Sequence, residues 1–140
     1  KLSPYLPGRA AREGWTASAP LPGGDLDVSA FPTLAEQLSR DFPFLTAAHA
    51  NRLAHAYGTR ATKMLGGATS MTDLGRSFGA TLTAREVDYL MTHEWARTAE
   101  DVIWRRSKLG LRMSAAEIAA LDAWMTEASG AAVPSEEVSR

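Results

Sequence analysis

Four cations lie near the end of the stretch Tyr89–Leu111 or just beyond it, and their chemistry is suited to binding an anion. Arg105, Arg106 and Lys108 are almost consecutive, and Arg112 follows them. Guanidinium and ammonium groups bind phosphate and carboxylate oxygens through charge-assisted hydrogen bonds. Cations also suit the C-terminal end of a helix, where the helix dipole is negative. The sequence therefore leaves open a solvated helix end, a phosphate contact and a contact with another domain.

Arg106 is the most informative of these cations because it falls on the apolar stripe of a predicted helix. A buried guanidinium requires a carboxylate or several carbonyls, since an unpaired buried charge costs several kcal/mol. We expect Arg106 to be tethered to Glu94, to Asp122 or to a helix C-terminus. The alternatives are contact with an anion or substrate, and a side chain that extends to solvent.

Two tryptophans, Trp95 and Trp104, lie in the same stretch as the cations. A large aromatic side chain stabilises a core or an interface more often than it stacks on a nucleotide base. We therefore interpret both as core or interface anchors. The candidates for structural or interdomain contacts are Trp95, Trp104, Arg105, Arg106 and Lys108.

No residue pattern predicts a catalytic site. The three histidines are His49, His55 and His93, and the spacing of the first two does not match the three or four residues of a helical metal pair. Cysteine is absent, and there is no serine–histidine–aspartate order, phosphate-loop motif or dinucleotide fingerprint. We expect no catalytic residue, no cofactor-binding residue and no metal ligand in this chain.

The elements that position these residues are predicted to be helices. Capping boxes pair a Ser or Thr with an acid three residues later and mark helix starts. Four such pairs occur, namely Thr33/Glu36, Thr83/Glu86, Thr98/Asp101 and Ser114/Glu117. The apolar spacing predicts helices over 32–40, 46–57, 59–65, 84–95, 99–109 and 115–128, with 68–82 ambiguous. No alternating run predicts a strand.

The predicted fold class is all-α, a compact bundle of about five to six short helices preceded by an irregular Pro/Gly-rich segment. The chain of 140 residues, with 45% apolar and 22% charged residues, is long enough for one globular domain. We divide it into a linker at 1–27, a helical domain at 28–129 and a frayed tail at 130–140. Within the linker, the sequence Leu21-Pro22-Gly23-Gly24-Asp25 predicts a turn.

The charge balance argues against nucleic-acid binding. The net charge is −1, so no overall field attracts a phosphate backbone. A helix-turn-helix within 61–82 would carry Arg76 as the only cation of its recognition helix. No apolar run is long enough to span a bilayer.

Beyond these patterns, three runs of residues carry a resemblance. They are EVDYL at 86–90, EWARTAEDV at 94–102 and WRRSKLGL at 104–111. They resemble the C-terminal helical domain of bacterial FAD-dependent (aerobic) glycerol-3-phosphate dehydrogenase. Thr16 with PLPGGD at 20–25, and Leu53 with Tyr57-Gly58, support the resemblance, which covers roughly 15–128. Ser107 stands where the family usually has Thr, so a hydroxyl is retained.

The resemblance implies a parent enzyme that oxidises sn-glycerol 3-phosphate to dihydroxyacetone phosphate, with FAD as cofactor and quinone as electron acceptor. The family's flavin fold and substrate-binding residues lie upstream, so no catalytic residue carries over to this chain. It implies that the chain packs on the upstream FAD domain, has a structural or assembly role, and neither binds FAD nor turns over substrate alone.

The resemblance further implies a cytoplasmic parent that is peripherally associated with the membrane, and association into a homo-oligomer. The alternative is a stand-alone helical protein–protein interaction module. The Pro/Gly-rich beginning at Lys1, without a starting Met, favours a piece of a longer enzyme over that alternative.

Overall fold

The structure is a computed structural model that describes residues 18–131. The remainder of the expected linker, 1–17, and most of the expected tail, 132–140, lie outside the described residues. The α-helices are α1 Phe31–Asp41, α2 Ala47–Tyr57, α3 Arg60–Leu65, α4 Ala84–His93 and α5 Ala115–Ala131. Short 3-10 helices cover Val28–Ala30, Met71–Leu74 and Leu109–Arg112, and a π-helix covers Asp101–Arg106. The prediction of a mostly helical compact domain is confirmed.

The first three predicted helices agree closely with the structure. Pro32 lies in the first turn of α1, where its missing N–H has no helical acceptor to lose. Thr46 caps α2 by accepting a hydrogen bond from the His49 N–H at 3.2 Å. Gly58 ends α2 with φ of 55°, a left-handed conformation that glycine adopts without strain.

A two-stranded antiparallel sheet lies largely in the segment 68–82, so the expectation that this segment forms no strand is wrong, although the domain is mostly helical. Strand β1 is Ser77–Gly79 and strand β2 is Leu82–Thr83. They are joined by Ala80 and Thr81, whose φ values of 45° and 68° are those of a tight hairpin turn. The strands are too short for alternation to show, and non-glycine turn residues with positive φ leave no sequence signal.

Two of the four predicted capping boxes are confirmed. Asp101 accepts from the Thr98 N–H at 3.1 Å while Thr98 Oγ1 accepts from the Asp101 N–H at 3.3 Å. Ser114 and Glu117 exchange the same two bonds at the start of α5.

The other two capping boxes are wrong. Helix α1 already begins at Phe31, so Thr33 lies inside it and caps nothing. Thr83 is the N-cap residue of α4 but makes no side-chain capping bond. Its expected partner Glu86 instead binds Arg52 on α2.

Two clusters of buried side chains form the core. The first joins α1, α2 and α3, and it includes Leu38, Leu53 and Leu65. The second joins the hairpin, α4, the π-helix and α5, and it includes Phe78, Ile103 and Leu121. Helix α4 contributes to both clusters, because Tyr89 packs in the first whereas Val87 and Leu90 pack in the second.

The π-helix and the early end of α4 change the placement of two candidate residues. Helix α4 ends at His93, and Trp95 follows in a left-handed conformation with φ of 56°. The helix predicted over 84–95 therefore ends two residues earlier than expected, and Trp95 is 77% exposed rather than packed in the core. In the π-helix the Ser107 N–H bonds back five residues to the Val102 carbonyl at 3.1 Å. This wider turn carries Arg106 off the apolar face, and its side chain is exposed rather than tethered in the core.

The predicted turn at Leu21–Asp25 is confirmed and is held against the helical domain. The Gly24 N–H bonds to the Leu21 carbonyl at 2.8 Å, and Gly23 has φ of 82°. The Gly23 carbonyl accepts from the Thr59 N–H at 3.2 Å. The backbones of Gly23 and Gly58 meet so closely that a Cβ on Gly58 would lie 1.9 Å from the Gly23 oxygen.

Candidate functional site

The strongest polar interaction among the described residues is buried between α2, α4 and the hairpin turn. Arg52 Nη1 donates to Glu86 Oε1 at 2.7 Å, and Nη2 donates to Glu86 Oε2 at 2.6 Å. The Glu86 side chain is 1% exposed and that of Arg52 14%. Such a pair is favourable only when the remaining donors and lone pairs are also satisfied.

The Arg52 guanidinium also donates hydrogen bonds to the hairpin turn. Its Nε donates to Thr81 Oγ1 at 2.8 Å, and its Nη2 donates to the Thr81 carbonyl at 3.1 Å. Thr81 is a β-branched residue with φ of 68°, a conformation that costs about 1–3 kcal/mol and persists where surrounding contacts impose it. Arg52 therefore stabilises a turn geometry that the residue types of the turn disfavour.

Tyr57 completes this buried network, and the buried His49 lies within reach of its charges. The Tyr57 hydroxyl donates to Glu86 Oε1 at 2.7 Å. Burial raises the pKa of the Tyr57 phenol, and the adjacent Glu86 carboxylate raises it further, so the phenol stays protonated. Burial also lowers the pKa of His49, with the Arg52 charge adding to the effect. For Arg52 itself, burial acts to lower the pKa, but its hydrogen bonds and charge interaction with Glu86 outweigh burial and raise it.

This network is a structural connection rather than a reaction centre. Glu86 has no exposed surface, and three hydrogen bonds from protein groups occupy its oxygens. It cannot meet a substrate without first losing those bonds. No group of three or more candidate metal ligands is present in the part of the chain that the structure describes.

Between residues 95 and 111, large apolar side chains are exposed. Trp95 is 77% exposed, Leu111 78% and Trp104 40%. The Trp104 indole packs against Gly110, where an added Cβ would lie 2.7 Å from Trp104 Cζ2. Neither tryptophan is a core residue of this chain, which leaves the interface interpretation. We call Trp95, Trp104 and Leu111, with Arg105, Arg106 and Lys108, the aromatic–basic surface.

The structure brings together only part of the predicted basic cluster. Arg105 pairs with Asp101 on the exposed side of the π-helix, as its four-residue spacing predicted. Backbone hydrogen bonds from Arg97 and Thr98, with the salt bridge to Arg105, lower the pKa of Asp101 to about 2. Lys108 donates to the Trp104 carbonyl. Arg106 is exposed and makes no ion pair with Glu94 or Asp122.

A second group of polar side chains, which sequence reasoning missed, lines a hollow between α3 and α4. Its volume is ≈ 250 Å³. The α3–α4 hollow is lined by Lys63, Met64, Arg85, Asp88, Tyr89, Thr92 and His93. The sequence did contain a sign of this polar face. Arg85, Asp88 and Thr92 recur every three or four positions along α4 and so share one helix face.

No helix within residues 18–131 has both the length and the apolar composition that crossing a membrane requires.

Comparisons with known proteins place the chain in a family. Residues 15–131 match the family model for the C-terminal domain of alpha-glycerophosphate oxidase. A glycerol-3-phosphate dehydrogenase of Pseudomonas aeruginosa is 51% identical over 100 residues, which is 71% of this chain and 19% of that protein. The aerobic glycerol-3-phosphate dehydrogenase of Escherichia coli is 37% identical over 127 residues, 91% of this chain and 25% of that protein.

A relative with a different named substrate shares the same region. The D-erythritol 1-phosphate dehydrogenase of Brucella abortus is 37% identical over 115 residues, 82% of this chain and 23% of that protein. The chain thus spans between 19% and 25% of the length of these curated relatives. With 15–131 matched and a mostly helical fold, this chain belongs to the family of C-terminal domains of alpha-glycerophosphate oxidase.

Proposed function

We propose that this chain is the helical accessory domain of an FAD-dependent glycerol-3-phosphate dehydrogenase. The observation that carries the proposal is the family match over 15–131 in a chain that spans 25% or less of the relatives' length. The parent then oxidises sn-glycerol 3-phosphate to dihydroxyacetone phosphate with FAD and delivers the electrons to quinone. Because quinone is a membrane lipid, the parent is proposed to be a cytoplasmic protein at the membrane surface.

The described residues do not fit FAD. A dinucleotide is held at a glycine-rich turn between a strand and a helix, with its pyrophosphate at the helix N-terminus. Strand β2 instead passes directly into α4 at Thr83–Ala84, with no glycine between them. We propose that the flavin is held by another part of the parent.

The role proposed for this domain is to pack on the FAD domain and support its structure or assembly. The aromatic–basic surface supports this role, because exposed tryptophan beside arginine is the composition of interface hot spots. Trp95 is held in a left-handed conformation with 77% of its surface exposed, a strained position that does nothing for the core. We assign the interdomain contact to Trp95, Trp104, Arg105, Arg106 and Lys108. We propose that the aromatic–basic surface could alternatively mediate association into a homo-oligomer.

The relatives support a role that is separate from substrate choice. One is named for glycerol 3-phosphate and another for D-erythritol 1-phosphate, yet each shares 37% identity with this chain. This region is thus equally similar to this chain in enzymes named for two different substrates, as we expect of a domain that does not select the substrate.

The proposal is tested with the full-length parent and a parent truncated before Leu21. We expect the truncated enzyme to lose activity together with solubility or flavin content, because the FAD domain loses its packing partner. Point variants Trp95→Ser and Trp104→Ser in the full-length parent refine the result, with the exposed Met71→Ser as the matched control. Full activity, flavin content and assembly in the truncated parent would overturn the proposal.

A further inference from the structure

The α3–α4 hollow combines cations and hydroxyl groups around a space of molecular size. Its ≈ 250 Å³ is smaller than the roughly 300–1,000 Å³ of pockets for drug-sized ligands, so it suits a small solute. Lys63 enters from α3, and Arg85 enters from the first turn of α4. Both side chains are exposed, and neither forms an ion pair with a carboxylate in residues 18–131.

Tyr89 is positioned rigidly at the wall of the hollow. Its ring stacks on His93 with 4.5 Å between centroids, and it meets Tyr57 edge-on at 5.5 Å. Its hydroxyl oxygen accepts from Arg60 Nη1 at 3.4 Å. These contacts fix the Tyr89 ring where it lines the hollow beside His93.

Asp88 gives the hollow one acceptor among its donors. It lines the hollow between Arg85 and Thr92 along one face of α4. A carboxylate repels a bare phosphate but accepts hydrogen bonds from alcohol groups. The set of two exposed cations and a carboxylate, with Thr92 and Tyr89 also in the lining, therefore matches a solute with a phosphate at one end and hydroxyls at the other.

We propose that the α3–α4 hollow binds a small polyol phosphate, with Lys63 and Arg85 on the phosphate and Asp88 on the hydroxyls. Recognition of an anion here rests on the geometry of this chain, whereas the choice of sn-glycerol 3-phosphate as the polyol phosphate rests on the proposed function. A ligand at this position contacts α3 and α4 together and favours the arrangement in which they are packed.

The test is a titration of this 140-residue chain followed by amide ¹H–¹⁵N NMR, with sn-glycerol 3-phosphate and inorganic phosphate as separate probes at constant ionic strength. We expect saturable shifts confined to amides of α3 and α4, with tighter binding of glycerol 3-phosphate. Lys63→Gln and Arg85→Gln should each weaken binding about tenfold or more, the value of a lost charge-assisted hydrogen bond. Both residues are exposed, so the spectra outside α3 and α4 should be retained.

Two further variants make the result decisive. Arg97→Gln removes an exposed cation outside the hollow, and it should leave both affinities unchanged. Asp88→Asn should strengthen binding of inorganic phosphate and remove the preference for glycerol 3-phosphate. Non-saturable shifts, or an equal loss of affinity in Arg97→Gln, would overturn the site. An unchanged preference in Asp88→Asn would overturn the hydroxyl contact.

These results are independent of how the domain docks. They are measured on this chain without the parent, whereas the accessory role is measured by truncating the parent. A failure of one proposal can therefore be told apart from a failure of the other.

Discussion

Arg52 and Glu86 form a two-bond ion pair across 34 positions of sequence, and it connects α2 to α4 beneath the hairpin turn. We expect Arg52→Ala to lower the free energy of unfolding by about 3–5 kcal/mol, because it leaves a carboxylate buried without its partner. Urea unfolding followed by circular dichroism measures this change. Arg97→Ala, which removes an exposed guanidinium, should change the free energy of unfolding by no more than about 0.5 kcal/mol. Similar small effects for both variants would contradict the structural role of the pair.

His49 should make the stability of the domain depend on pH below its unfolded pKa of 6.5. Burial lowers the pKa of His49 in the fold, so between the two pKa values the unfolded chain binds the proton and the folded chain does not. The free energy of unfolding is then fully retained above pH 6.5 and decreases as the pH falls below it, by at most about 1.4 kcal/mol per pH unit.

Unfolding curves at about pH 7.5 and pH 5.5 test this dependence, since most free carboxylates titrate below that interval. His49→Gln should show a smaller loss of stability over the interval than the unchanged chain. His55→Gln, an exposed histidine on the same helix, should show the same loss as the unchanged chain. An identical pH dependence in all three proteins would show that His49 is not the titrating group.

Gly58 should tolerate no side chain. Its φ of 55° disfavours any L residue, and a Cβ would lie 1.9 Å from the Gly23 oxygen. We expect Gly58→Ala to reduce the free energy of unfolding by more than about 1 kcal/mol. Gly67→Ala is the matched control, because nothing lies within 4 Å of its added Cβ and its φ is not positive. A thermal shift assay that finds Gly58→Ala as stable as Gly67→Ala would contradict the close backbone contact.

Trp95 should be dispensable for stability and important for docking. We expect Trp95→Gly to be as stable as the unchanged chain or up to about 1 kcal/mol more stable, because glycine relieves the left-handed backbone at φ of 56°. Trp95→Asn keeps a residue that tolerates this conformation and removes the indole. In the full-length parent both variants should weaken the interdomain contact, measured as faster proteolytic release of this domain. A destabilised isolated chain would show instead that the indole holds the fold.

Local signals predicted most of the helices, whereas contacts between distant residues were out of reach. Thr46 and Gly58 mark the ends of α2 by capping chemistry that involves only their neighbours. The three-residue spacing from Thr83 predicted that Glu86 is part of a capping box. In the structure Glu86 instead forms a salt bridge with Arg52 of helix α2. No local sequence pattern shows whether Glu86 binds Thr83 or Arg52, because Arg52 comes close to Glu86 only in the folded chain.

Arg106 illustrates a different failure. Its predicted burial assumed an α-helical period, and the π-helix Asp101–Arg106 has a wider turn. We expect Arg106→Ala to change the free energy of unfolding by no more than about 0.5 kcal/mol, which chemical denaturation can verify. The α3–α4 hollow was also missed. The polar face of α4 is visible in the sequence, but tertiary packing decides that α3 lies beside it.

Helix α4 belongs to both halves of the core, with Tyr89 in one cluster and Val87 and Leu90 in the other. Neither half can lose its packing without exposing one side of this helix, and the Arg52–Glu86 pair joins the same two halves. We therefore expect unfolding to be cooperative across the domain, with the amide hydrogens of α4 exchanging with solvent only through the global opening reaction. A substitution that weakens the packing of either half of the core should then lower the stability of the whole domain.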